Sequence, residues 1–98
     1  MKYIIHERCR RNIVDFYRHV AQKYCHTYSE YLMLKNIDEA VDNMFLIERD
    51  LPRRKPTLTR WKQQGWQMAH AGRWYYAYSI TNDTIIVEDA CHEQNMNE

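Results

Sequence analysis

Glycine and proline are scarce in this chain, with two of each among 98 residues. That scarcity excludes collagen-like, low-complexity and disordered classes. Cysteine is sparse as well. Cys9, Cys25 and Cys91 are odd in number and widely spaced, with no C-x-x-C, which argues against a disulfide framework and supports no structural zinc site. Reduced, partly buried thiols are expected. His6, Cys9, His19, Cys25 and His26 match no standard zinc spacing, so neither a metal nor another cofactor is expected. No apolar run approaches the roughly 20 residues that span a bilayer. The opening Met1-Lys2-Tyr3-Ile4-Ile5-His6 turns polar too soon for a secretory leader, and a cytoplasmic protein is expected. Also missing are a Gly-rich phosphate loop, a nucleophile elbow and a carboxylate pair with a recognisable partner.

The last absence is of one sign of charge. After Arg73 there is no Lys or Arg, whereas five acids follow: Asp83, Glu88, Asp89, Glu93 and Glu98. Between Arg49 and Arg73 the balance is reversed, with seven basic residues (Arg49, Arg53, Arg54, Lys55, Arg60, Lys62, Arg73) against Asp50. The formal net charge of +1 conceals this sorting. A basic middle can attract phosphates while the whole stays nearly neutral.

What is present reads as one α+β domain, with 45% apolar and 28% charged residues, ordinary values for a soluble globular protein. Tyr3-Ile4-Ile5 predicts a short strand. Ile13, Tyr17, Val20, Ala21 and Tyr24 recur at helical steps, with Arg10, Arg11, Asp15, Arg18 and Gln22 opposite, predicting an amphipathic helix over 7–24. Thr27 and Glu30 fit a capping box. The stripe Leu34, Ile37, Val41, Met44, Ile47, Leu51 predicts a second helix running to Pro52, which forms an antiparallel hairpin with the first. Pro56 permits only a short turn near Thr59 to Gln63. Strands are expected at 66–70, 74–80 and 84–90, with turns at Ala71-Gly72 and Asn82-Asp83. Glu93 to Glu98 reads as a frayed tail. The expected architecture is β-α-α-β-β-β: an N-terminal strand, a helical hairpin and a three-stranded antiparallel meander in one sheet, with both helices on one face.

On these residues the chain resembles the RelE/ParE superfamily of bacterial toxins. The likeness is carried by the opening strand, by Cys9-Arg10-Arg11-Asn12-Ile13-Val14-Asp15-Phe16-Tyr17-Arg18-His19-Val20 in the first helix, by Leu51-Pro52, by Ala71-Gly72-Arg73-Trp74-Tyr75-Tyr76-Ala77-Tyr78, and by Cys91-His92 at the end of the last strand. It implies a toxin neutralised by a cognate antitoxin. The target would be messenger RNA on the ribosome, cut without a metal, or DNA gyrase. By the same resemblance Arg73 matches the strand arginine, Arg60 and Lys62 belong to the basic set before it, and His92 matches the terminal histidine. Glu93 stands where relatives carry arginine, and no tyrosine follows Tyr78. That departure motivates a second reading, a non-catalytic protein-binding module on the same fold.

RNA cleavage through the 2′-OH needs a base, cations around the phosphate and an acid for the leaving oxygen. Arg73 is the candidate clamp, since a guanidinium forks onto two oxygens. Its plain alternative is a solvated arginine or a partner of Glu88 or Asp89. His92 and His70 are candidates for proton transfer, against the alternative of ordinary edge histidines. Arg53, Arg54 and Lys55 with Arg60 and Lys62 can track phosphates, or form a solvated loop, or dock an acidic antitoxin segment. Trp61, the tryptophan expected to be exposed, is the candidate for base stacking, while Trp66 and Trp74 read as packing. Tyr76 and Tyr78 share one strand face and Tyr75 takes the other. Tyr76 is the candidate binding residue of this strand.

Overall fold

The computed structural model describes residues 1–97. Strand β1 (Lys2–Ile5) leads into helix α1 (Glu7–Lys23), and helix α2 (Glu30–Asn43) packs back against it. A 3-10 turn (Met44–Leu46), a loop and the short helix α3 (Thr59–Gln64) follow. Strands β2 (Gln67–Ala71), β3 (Trp74–Thr81) and β4 (Thr84–His92) then form the meander. The sheet order is β1-β4-β3-β2, with β1 parallel to β4 and the other pairs antiparallel. The α+β layout is the expected β-α-α-β-β-β, and no described helix is long and apolar enough to cross a membrane.

Local chemistry sets the boundaries. The His6 imidazole caps α1 by accepting from the Arg8 backbone N–H at 3.1 Å. Gly65, at φ 73°, ends α3 in the left-handed region that glycine enters without a Cβ clash. Asn82 and Asp83, both at positive φ, make the expected two-residue hairpin. The cap of α2 differs from the expected one. The Ser29 hydroxyl accepts from the Leu32 N–H, while the Thr27 hydroxyl turns back to the Tyr24 carbonyl.

Two expectations about length are also corrected. Helix α2 stops at Asn43, not at Leu51, although Met44 and Ile47 keep their buried positions. The reason is polar. Tyr3 donates to the Ile47 carbonyl at 2.6 Å, and the Tyr78 hydroxyl donates to the Glu48 carboxylate, which Arg53 clasps at 2.9 and 3.1 Å. Glu48 adopts φ 69° to be there. A continuing helix would leave these groups without partners. At the other end, Glu93–Asn95 forms a 3-10 turn and Met96 packs on the core, so that stretch is no frayed tail; Glu98 lies outside the described residues.

Strand alternation divides the core in two. Cys9, Ile13, Ala40, Met44, Tyr76, Tyr78, Ile85 and Val87 fill the layer between sheet and helix hairpin. Leu58, Trp61, Met68, Ala77 and Cys91 fill a second layer on the opposite face. Burying a side chain such as Leu58 is worth about 1.5–3 kcal/mol. That burial holds a six-residue helix whose own backbone bonds are too few to sustain it.

The Ser29→Ala variant is expected to lose about 1 kcal/mol of unfolding free energy, with Thr27→Ala within about 0.5 kcal/mol of the parent. Urea unfolding of both measures this, and the opposite ranking would return the cap to Thr27.

Candidate functional site

Strand β1 pairs only with Thr84–Val87, and the last bond of that ladder runs from the His6 N–H to the Val87 carbonyl at 2.9 Å. Beyond Val87 the outer edge of β4 borders no strand among the described residues, and α1 lies against it, with Asn12 donating to the Ala90 carbonyl. A β-bulge lies just there: Ala77 faces Asp89 and Tyr78 faces Val87, leaving Glu88 as the extra residue. The bulge lets Val87 and Ala90, three positions apart, both enter the helix-side core. It also brings Asp89 within reach of both faces.

Asp89 is buried, and its carboxylate accepts from Asn12 Nδ2 of α1 at 3.0 Å, Trp61 Nε1 of α3 at 2.8 Å and the Ala90 N–H at 2.9 Å. Arg60 Nε stands 3.8 Å from the same carboxylate, with its side chain largely in solvent. Asn12 also donates to the Ala90 carbonyl at 3.2 Å. One side chain therefore fixes α1 and α3 on either side of the strand edge.

Between those walls lies a cleft of about 740 Å³. Its lining includes Asn12, Asp15, Phe16 and His19 from α1, Arg60 from α3, and Cys91, His92, Gln94 and Asn95 from the end of the chain. His92 stacks on Phe16 with ring centroids 3.9 Å apart and meets Trp74 edge-on at 5.3 Å. Its Nδ1 accepts from the Gln94 N–H at 3.2 Å, which places the proton of the neutral ring on Nε2. Burial lowers the His92 pKa below its ordinary 6.5; Glu93 opposes that shift and Arg73 adds to it. Burial also pushes the Cys9 thiol up to about 12 and raises Cys91, so neither is a ready nucleophile. Cys25 is exposed, unlike the other two. Among the described residues no three His, Cys, Asp or Glu side chains gather as a metal site.

Phe16, Trp74 and His92 are shared by the first cleft and at least one of two smaller grooves. The groove of about 340 Å³ runs beside the helical hairpin, with Tyr17, Tyr24, Tyr28 and Arg73 along it. A third, of about 250 Å³, continues past Gly72 toward Glu39 and Asn43. Arg73 itself lies in the β2–β3 turn, just before β3, although the resemblance matched it to a strand arginine. Its side chain is 71% exposed and pairs with Glu93 at 2.7 Å, rather than with Glu88 or Asp89. The Glu93 N–H donates to the Arg73 carbonyl, also at 2.7 Å.

The candidates from sequence therefore separate. His92 shares the large cleft with Arg60 and the hairpin groove with Arg73. His70 stacks on Tyr75 at 4.4 Å, on β2, and lines neither. Arg54 bridges to Met68 along the outer edge of β2, carrying Arg53 and Lys55 to the side of the sheet away from β1. Lys62 is exposed on α3. Trp61, expected at the surface, is fully buried because its indole N–H is committed to Asp89, so its ring cannot stack on a base. Tyr76 is buried too, its hydroxyl donating to the Ala40 carbonyl at 2.7 Å. Sequence reasoning missed Asn12, Phe16 and Asp89.

The arrangement offers a neutral imidazole donor flanked by guanidinium groups, with Asp15 and His19 one helical turn apart on the facing wall. That set can grip a phosphate and move protons near it. No family model matches the chain, and no curated protein or solved structure is significantly similar to it.

A His92 resonance followed by NMR is expected to titrate below pH 6.5. The sign follows from linkage. The unfolded chain holds the proton more tightly, so the contribution of the neutral ring is complete above about 6.5 and is lost as pH falls through the folded value. Urea stability should decline over that interval, and less so in His92→Gln. A midpoint at or above 6.5 would contradict the burial account.

Proposed function

We propose that this chain is a toxin of the RelE/ParE kind that cleaves messenger RNA on the ribosome. In this reading it is a cytoplasmic protein held inactive by a cognate antitoxin. The observation that carries the reading is the position of His92, with Arg60 in the groove on one side and Arg73 in the groove on the other. The β-α-α-β-β-β layout supports it as well.

The chemistry assigns roles. Attack of the 2′-OH on the adjacent phosphorus forms a 2′,3′-cyclic phosphate and expels the 5′-oxygen. Arg60 and Arg73 stabilise the extra negative charge of the pentavalent phosphate. The Nε2–H of His92 makes no hydrogen bond among the described residues and is the donor toward a phosphate or leaving oxygen. Asp15 or His19 takes the hydroxyl proton from the opposite wall. His70, away from this cleft, has no part in it.

One observation favours a second reading. Arg73 already holds a carboxylate, that of Glu93, as a non-catalytic module for binding acidic protein segments would. Action on gyrase is the remaining alternative.

Induced expression in bacteria is expected to arrest growth, with mRNA cut at positions set by the reading frame. Arg73→Ala should lower cleavage by about a hundredfold, the usual effect of removing one transition-state donor, and restore growth. Intact message with trapped, cleaved plasmid DNA would move the target to gyrase. Neither lesion would leave the binding module.

A further inference from the structure

The contact between Arg73 and Glu93 is built in an uneven way. The backbone of Glu93 is pinned, its N–H donating to the Arg73 carbonyl at 2.7 Å, and His92 Nδ1 caps the turn that follows. The carboxylate is not pinned in the same way. It touches one guanidinium nitrogen, Nη1, at 2.7 Å, and the two side chains are 71% and 40% exposed. An ion pair this open contributes little, because solvent screens it and two long side chains must be held in place. The Glu93 side chain can therefore leave Arg73 by rotating, without disturbing the backbone bond or the His92 cap. The guanidinium also overlooks a groove whose walls carry Tyr17, Tyr24 and Tyr28. Such rings accept any base by stacking.

We propose that Glu93 is an internal occupant of an oxyanion site at Arg73, and that a phosphodiester of single-stranded RNA displaces it, with a neighbouring base stacking in the tyrosine-lined groove. This rests on the RNA-directed reading above and adds to it a built-in competitor. While Glu93 is in place, the charge of Arg73 is answered within the protein and the site is muted. Once RNA arrives, its phosphate replaces the carboxylate, and the freed Glu93 turns to solvent. The departure of this chain from its resembling family, acid where a cation is usual, becomes a restraint on affinity.

The test is a cycle of Glu93→Gln, Arg73→Ala and the double variant, read by oligouridylate binding at low salt and, separately, by inorganic phosphate. Glutamine keeps the backbone N–H and the length of the side chain, and circular dichroism verifies each fold. Glu93→Gln is expected to tighten oligouridylate binding by about two- to fivefold, the scale of an exposed ion pair. In the Arg73→Ala background the same change should give no gain. Equal gains in both backgrounds would reduce Glu93 to a general repulsive charge and overturn the proposal, as would no gain in either. Phosphate, followed by the NMR shift of the Arg73 Nε–H, separates the two claims. Displacement at lower phosphate in Glu93→Gln, without oligouridylate binding by any variant, supports the internal occupant and rejects RNA as its competitor. An unmoved Arg73 signal in both proteins rejects the oxyanion site itself.

Discussion

A carboxylate buried at the edge of a sheet is the constraint on which the rest of this structure depends. Asp89 sits where desolvation is costly, so its oxygens must be supplied with donors. The fold supplies one from each surrounding element: the amide of Asn12 from α1, the indole of Trp61 from α3 and the N–H of Ala90 from its own strand. Taking away the acceptor would leave those donors stranded, each at about 1–3 kcal/mol. The two helices share no core layer, since α1 packs on one face and α3 belongs to the other. Asp89 is what relates them.

The cleft follows from that relation. Its wall on one side is the α1 stretch around Phe16, and on the other the exposed guanidinium of Arg60, which α3 carries because Trp61 anchors it. The floor is the end of β4, where the bulge at Glu88 resets the alternation and turns His92 onto Phe16. Apolar packing keeps His92 neutral, and Arg73 reaches the same ring through the adjacent groove. Charge, aromatic surface and an imidazole meet there.

Much of this was legible in the sequence. Period and turn residues were enough to place β1, α1 and the meander, since Asn82-Asp83 allows little but a tight hairpin and Ile13 and Tyr17 mark one helical face. The end of α2 was not legible. Its apolar stripe continues through Met44 and Ile47, but the demands of the Tyr3 and Tyr78 hydroxyls come from strands distant in sequence and break the helix first. Trp61 misled for a similar reason. In a run of cations it reads as a surface ring, yet its partner, Asp89, lies in the acidic part of the chain. The sorted charges noticed at the outset conceal contacts across the sort: Arg73 with Glu93, Arg60 near Asp89, Arg53 with Glu48. Arg73 and His92, singled out through the resemblance, line one groove, while His70 lies on β2 and lines neither that groove nor the large cleft.

The measurement that bears most directly on this account is a double-mutant cycle in urea unfolding between Asp89→Ala and Trp61→Phe, which leaves a smaller aromatic ring in place and removes the indole donor. A coupling of about 1–3 kcal/mol is expected, because each partner is costly only when the other is left behind. Additivity to within about 0.5 kcal/mol would mean that the carboxylate does not hold α3 in place, and the cleft would need another explanation.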